Sequence, residues 1–265
     1  MAAIEIKRVN ATAVLTMNRP DQRNALDYAM REDFAAAVAE VRDDAAVRAI
    51  VLTGAGGHFC AGGDVKVMGD QQGQKHDIFE GRERIRKIHR WFDELVDLEK
   101  PVIAAVDGVA FGAGLSLALC ADFVLASPRA KFCCVFARLG YVPDTGAMYL
   151  LPRAIGLSRA KDLVFTGRVV GAQEAKEIGL VQSICEQDLL QSALDFAERF
   201  HTAPTGALGI AKSVMNHAFE SDRRSVYAQE AMAQAMCRES DFHSEAVRRF
   251  LAKEAPLYQW PDSQP

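Results

Sequence analysis

Twice in the first half of this 265-residue chain, a short apolar run ends in glycines: VRAIVLTGAGG and, restarting after Pro101, VIAAVDGVAFGAG. Runs of this length, rich in valine and isoleucine, read as buried strands. Helical periods separate them. One runs from Tyr28 to about Val41, between ATAVLTM and the strand Ile50 to Thr53, and a charged amphipathic stretch covers roughly His76 to Leu98. Strand, glycine turn and helix in repetition is the rhythm of an α/β chain, and the two strand-then-glycine units hint at internal repetition. A helix is expected through LSLALCA, then two short strands, ADFVLAS and AKFCCVF, around a Ser127-Pro128 turn.

Beyond about Gln187 the pattern is helical, with periods around ALDFAERF, GALGIAKSVMNHAF and SVYAQEAMAQAMCRE. Three such helices are too few to bury a core alone. The expected organisation is an α/β body over residues 1–200 and a helical region over residues 201–265, with apolar faces that need a neighbouring subunit. A composition of 49% hydrophobic and 25% charged residues supplies a sizeable core for such a body.

Several function classes are disfavoured at this level. The net charge of −4 argues against a nucleic-acid partner, and the basic run GRERIRKIHR is flanked by Glu80, Asp93 and Glu94 and interrupted by Glu83, as on a solvated helix face. The start MAAIEIKRVN has no apolar core of signal-peptide length and no stretch reaches membrane-spanning length, so no membrane association and a cytoplasmic or organelle-matrix location are expected. Six cysteines without a C-x-x-C pair read as buried thiols, and the six scattered histidines give no metal-ligand spacing, so no metal is expected. The G-x-G of TGAGGHF fails as a dinucleotide fingerprint because Phe59 stands at the third glycine, and there is no G-K-[ST] for a P-loop.

The glycine-rich turns FCAGGD and AFGAGL have another use. Small residues at the end of a strand let a second molecule reach the backbone, and two convergent N–H groups make an oxyanion hole. Packing alone would also explain either turn.

In order and spacing, MNRPDQRNALD, FCAGGDVKVM, KPVIAAVDGVAFGAGLSLALCADFVLAS, LGYVPDTGAMYLLPRAIG and a later GLV closely resemble the crotonase superfamily, which includes enoyl-CoA hydratases and isomerases. The resemblance spans most of the chain. It implies a spiral of repeated ββα units with a helical C-terminal trimerisation region, a homotrimer or hexamer (dimer of trimers), and an acyl-CoA thioester as substrate. No separate cofactor is implied, coenzyme A being part of the substrate. Carried over residue by residue, it implies oxyanion-hole N–H groups at Gly63 and at Ala113, where the family usually has glycine. An alanine keeps its N–H, so the hole survives if the backbone there is not left-handed. Arg23, Asn24 and Ala25 fall near the nucleotide part of CoA, with Ala61, Asp64, Val65 and Lys66 along the rim and Gly112 beside the hole. Asp64 also reads as a cap of a helix over VKVM, and Asp122 as structural.

Hydratases of this superfamily typically carry two glutamates, at positions that are Ser116 and Phe136 here. Neither can act as an acid or base at neutral pH. Asp144, in V-P-D-T-G, stands where a subset including enoyl-CoA isomerases and ring-opening isomerases places a catalytic aspartate. Leu139, Tyr141 and Val142 are expected to surround it with apolar surface and raise its pKa. The same P-D-T-G is also a good helix N-cap. Phe136 and Leu139 would line the acyl pocket. The implied activity is double-bond isomerisation of an enoyl-CoA, against alternatives of hydration, thioester hydrolysis, dehalogenation or a silent CoA-ester-binding homologue.

Overall fold

The computed structural model describes residues 2–64 and 77–260. Val65, Lys66 and the helix expected over VKVM lie outside the described residues. Among those described, two strands, β1 (Ile4–Val9) and β2 (Thr12–Met17), pair antiparallel and lead to helix α1 (Tyr28–Asp43). Strand β3 (Ala49–Gly54) and helix α2 (Ile78–Val96) follow. The segment read as one strand after Pro101 is two: β4 (Val102–Val106) and β5 (Val109–Phe111), broken at Asp107-Gly108, where Gly108 takes φ +56. The break sends β5 into a different sheet from β4.

Helix α3 (Ala113–Leu119) then precedes β6 (Phe123–Ala126) and β7 (Lys131–Cys133), and α4 (Ala147–Ile155) and α5 (Leu157–Thr166) follow them. After β8 (Val169–Gly171), α6 (Ala172–Glu177) and β9 (Ser183–Ile184), the chain is helical through α7 (Leu189–Glu198), α8 (Thr205–Asn216), α9 (Arg223–Arg238) and α10 (Asp241–Ala252). The last of these was not anticipated. It starts afresh at Ser240, whose hydroxyl accepts the His243 N–H at 3.1 Å.

The hint of repetition resolves into a repeated unit of strand, strand and helix. The larger sheet runs β1-β2-β3-β4-β6-β9 and the smaller β5-β7-β8. In β4-β5-α3 and again in β6-β7-α4, the first strand joins the large sheet and the second the small one; β4 pairs parallel with β6 and β5 with β7. A reduced earlier copy is visible where β3 pairs parallel with β4 and Cys60 forms a parallel bridge with Ala110 of β5. Stacking such units generates the ββα spiral that the resemblance implied.

Both faces of the large sheet are covered, and the two-residue side-chain period sorts its residues between them. Leu15, Met17, Ile50, Leu52, Val102, Ala104 and Val106 face the main core, with Met30, Phe34 and Val38 of α1 and Trp91, Phe92 and Leu95 of α2. Val14, Val51, Ile103, Ala105 and Leu125 face the other way, onto Ala193 and Ala197 of α7 and the following Phe200. Helix α1 is started by Asp27, whose carboxylate accepts the Met30 N–H at 2.8 Å. At its other end the Lys100 ammonium donates to the carbonyls of Val41, Arg42 and Asp44, groups a helix end cannot satisfy itself. Arg82, Arg86, Lys87 and Arg90 lie on the exposed face of α2, as the charge pattern suggested.

Helix α8 is fastened to the body. Its Lys212 pairs with Asp122 at 2.9 Å, and the same carboxylate oxygen accepts the Val102 N–H at 2.8 Å, which gives Asp122 its structural role. Burial pushes this carboxyl up, against the pull of Lys212. Helices α9 and α10 bury no residue. No helix among the described residues is long and apolar enough to cross a membrane.

Candidate active site

The two glycine-rich turns meet. Past β3 the chain makes a single 3-10 turn at Ala55–Gly57 and is extended at His58, with no α-helix over the described residues up to Asp64 and with Phe59 fully buried, so the local geometry of a dinucleotide turn is absent there. The Phe59 N–H donates to the Asp107 carbonyl at 2.7 Å and the Cys60 N–H to Val109 at 2.9 Å; the Phe111 N–H returns to Cys60 at 3.0 Å. These bonds lay one turn on the other so closely that side chains are excluded. A Cβ on Gly114 would stand 2.2 Å from the Cys60 carbonyl oxygen, and one on Gly62 would stand 2.6 Å from that of Phe111 and 3.5 Å from the Ala113 nitrogen. Gly62 and Gly114 are thus each required by the opposing turn.

This interlock leaves two donors over. On the first turn, the Leu26 N–H donates to Gly62 at 2.7 Å and the Asp64 N–H to Leu26 at 3.3 Å, using the groups on either side of Gly63. The Gly63 N–H finds no acceptor among the described residues. Ala113 opens α3, where a helix has no carbonyl of its own for the N–H and where the peptide dipoles concentrate positive potential. The backbone condition set by alanine at this position is met. Gly112 takes the positive φ, at φ +53 and ψ −121, and Ala113 is helical. A Cβ on Gly112 would come within 3.2 Å of Val135 and 3.8 Å of the tip of the Phe136 ring, which places Phe136 directly against this turn.

Asp144 lies on the turn that follows the 3-10 segment Val135–Leu139 and leads into α4. It caps no helix. The residue before α4 is Gly146, and no side chain accepts from the first N–H groups of that helix. The carboxylate instead accepts from the Thr145 hydroxyl at 3.2 Å. Burial pushes the Asp144 carboxyl above its ordinary value; the Thr145 hydroxyl, His89 and Arg31 act against this and do not cancel it. The source of that burial differs from expectation. Leu139, Tyr141 and Val142 are 51%, 59% and 69% exposed, so in the single chain they give the carboxylate no apolar shelter. The charges that act on it come from the body, Arg31 of α1 and His89 of α2, and Ser116 of α3 reaches the Asp144 carbonyl oxygen at 3.2 Å.

The described residues expected along the CoA path lie on two segments, 23–25 and 61–64, joined by backbone hydrogen bonds. Asn24 is fully buried and left-handed at φ +57; its side chain accepts the Arg19 N–H at 2.9 Å and donates to the carbonyls of Ala55 and His58 at 2.9 and 2.7 Å. With every polar atom of its amide engaged, Asn24 shapes the loop and its side chain offers nothing to a ligand. Arg23 is exposed beside it, its carbonyl taking the Ala61 N–H at 2.9 Å, and Ala25 is buried. Asp64 is bound to Arg19 at 3.2 Å, which also pairs with Asp27 at 3.1 Å.

Sequence reasoning missed Arg31, Thr145 and the hydroxyl role of Ser116. Arg31 sits in the first turns of α1 with its guanidinium on the carbonyl of Leu26 at 3.3 Å, the residue bridged to Gly63. Its place in a helical apolar period hides the fact that the guanidinium turns inward. For Thr145 a signal existed in the P-D-T-G turn, though left-handed geometry at a β-branched residue is not readable from residue types.

A family model described as enoyl-CoA hydratase/isomerase matches residues 7–261. The chain is similar to the 1,2-epoxyphenylacetyl-CoA isomerase of Escherichia coli (strain K12), with 37% identity over 250 residues covering 92% of this chain and 93% of that one. It is also similar to the crotonyl-CoA hydratase of Syntrophomonas wolfei, with 34% identity over 252 residues covering 94% and 95%. A crystal structure of an enoyl-CoA hydratase/isomerase from Cupriavidus metallidurans CH34 superposes with a TM-score of 0.93 at 39% identity, covering 100% of this chain and 99% of that one.

Proposed function

The chain belongs to the enoyl-CoA hydratase/isomerase family of the crotonase superfamily, and from that premise we propose that it shifts the double bond of an enoyl-CoA, with Asp144 as the one acid/base. The observation that carries the proposal is the state of Asp144. It is a carboxylate raised by burial and released from any capping duty, its main chain tied by Ser116 to the helix that opens with Ala113, while the two positions of the hydratase glutamates hold a buried serine and a phenylalanine.

One carboxylate is enough for a 1,3-proton shift. The Asp144 carboxylate takes the proton from C2 of a 3-enoyl thioester; the C–H electron pair moves into the C2–C1 bond, and the carbonyl electrons move onto the thioester oxygen. The N–H groups of Gly63 and Ala113 hold that oxygen through the dienolate stage, and the same carboxyl then returns its proton to C4, giving the 2-enoyl isomer. A carboxyl raised toward working pH serves both halves of this exchange better than an ordinary one. The acyl group would lie against Phe136 and Leu139, and the nucleotide end of CoA along the loop of Arg23, Ala25 and Ala61. A second reading, hydration of a 2-enoyl-CoA, is favoured by the name of the Syntrophomonas wolfei relative; it needs a second acid/base that Ser116 and Phe136 do not supply.

Incubation in D₂O with a trans-2-enoyl-CoA or a 3-enoyl-CoA, followed by mass spectrometry, separates the two. Isomerisation of the 3-enoyl ester, lost by about a hundredfold or more in Asp144→Asn, is the expected result. Gain of water by the 2-enoyl ester would overturn it.

A further inference from the structure

Two hydroxyls converge on Asp144, and one of them helps to fix a strained turn. Thr145 is 2% exposed with φ +51, a left-handed conformation that a β-branched residue adopts only where its surroundings impose it. Gly146 continues the turn at φ +81, and the Ala147 N–H closes it onto the Asp144 carbonyl at 3.0 Å. Ser116, with no exposed surface, approaches the same carbonyl from α3 at 3.2 Å and the Gly112 carbonyl at 3.4 Å. Its single hydrogen serves one acceptor at a time.

We propose that Ser116 and Thr145 are positioning residues for Asp144, Ser116 pinning the main chain of its turn to α3 and Thr145 aiming its carboxylate. The inference rests on reading Asp144 as the acid/base. It gives the strained turn a purpose. Helix α3 begins with the N–H of Ala113 and, one turn on, carries Ser116, so a single short helix fixes both the point where the thioester oxygen is held and the point from which the proton is moved. Holding two reacting points on one rigid element is how a site keeps its geometry, and a misplacement of about 1 Å can lower the rate a hundredfold.

The two roles differ in kind, so their removal should be read differently. The Thr145 hydroxyl donates to the carboxylate and favours its ionised form, as do the facing charges Arg31 from α1 and His89 from α2. Among the described residues the Ser116 hydroxyl hydrogen-bonds only to main chain. Thr145→Val keeps the shape and removes the donor; Thr145→Ser keeps the donor.

The test uses the full chain with carbon-13-labelled aspartate, Asp144→Asn assigning the resonance. In Thr145→Val the Asp144 titration midpoint is expected to rise by about one pH unit, and the acidic limb of kcat to move with it. Thr145→Ser should restore both. For Ser116→Ala we expect kcat down about tenfold to a hundredfold, KM within about threefold and an unmoved titration midpoint, with faster amide hydrogen exchange over residues 144–147. Ser116→Cys, which keeps a weak donor, should fall between and covers the case in which the alanine variant folds poorly. An unchanged titration in Thr145→Val, or full kcat and unchanged exchange in Ser116→Ala, overturns the corresponding role. If the wild-type chain isomerises nothing, the acid/base reading fails, and the titration and exchange measurements still decide whether the two hydroxyls hold the turn.

Discussion

A carboxyl group that burial lifts above its ordinary pKa weakens the folded state once it ionises, and Asp144 is in that position. Between the ordinary and the raised value the folded chain binds more protons than the unfolded one. Its stability therefore falls as pH rises through that window and stays lowered above it. Asp144→Asn should accordingly melt at a higher temperature than the parent at pH 7, and the difference should vanish in scans run below the ordinary carboxylate range. Equal melting at both pH values would show that the carboxylate carries no such penalty. Asn24 presents the opposite case, a buried polar group with all its needs met. Asn24→Ala leaves the Arg19 N–H and two carbonyls without partners and should cost about 3 kcal/mol in urea unfolding. The sequence marked Asn24 as part of the CoA path, but the amide's three bonds join residues 19, 24, 55 and 58, and that convergence exists only after folding.

At the level of elements, the start of α3 carries the proposed oxyanion donor of Ala113. Ala113 is the first helical residue, a place where proline fits because the N–H has no helical acceptor. Ala113→Pro therefore deletes one donor while respecting the helix, and kcat should fall by about a hundred- to a thousandfold with the melting temperature little changed. Ala113→Gly keeps the N–H and should leave kcat within about threefold of the parent. Steady-state assays on the pair distinguish a working oxyanion hole from a glycine turn kept only for packing. The elements themselves were largely legible, because α1, β3 and β6 follow apolar periods with clear breaks. The division of VIAAVDGVAF into β4 and β5 was not. Both halves are equally apolar, and only pairing with β6 in one sheet and β7 in the other separates them.

Over the whole molecule, α9 and α10 stand out as helices that bury nothing in the single chain while exposing Tyr227, Met232 and Met236, and Val247, Phe250 and Leu251. Apolar surface of that extent favours association. We expect a homotrimer or a dimer of trimers by light scattering at micromolar concentration; a monomeric mass would contradict it.

By itself the sequence determined the alternation of strands and helices and the two glycine turns, since each depends on residue type and spacing along the chain, and its resemblance to the crotonase superfamily pointed to Ser116 and Phe136 at the hydratase glutamate positions and to Asp144 as the candidate carboxylate. Only the tertiary structure decided that Gly62 and Gly114 are demanded by the opposing turn, that Gly112 frees Ala113 to be helical, and that Asp144 caps nothing. It also left Leu139, Tyr141 and Val142 exposed and brought Ser116 onto the main chain of Asp144, within the field of Arg31 and His89. These are relations between segments dozens of residues apart, set by the stacking of strand pairs in the spiral, and no local pattern encodes which side chains such stacking brings face to face.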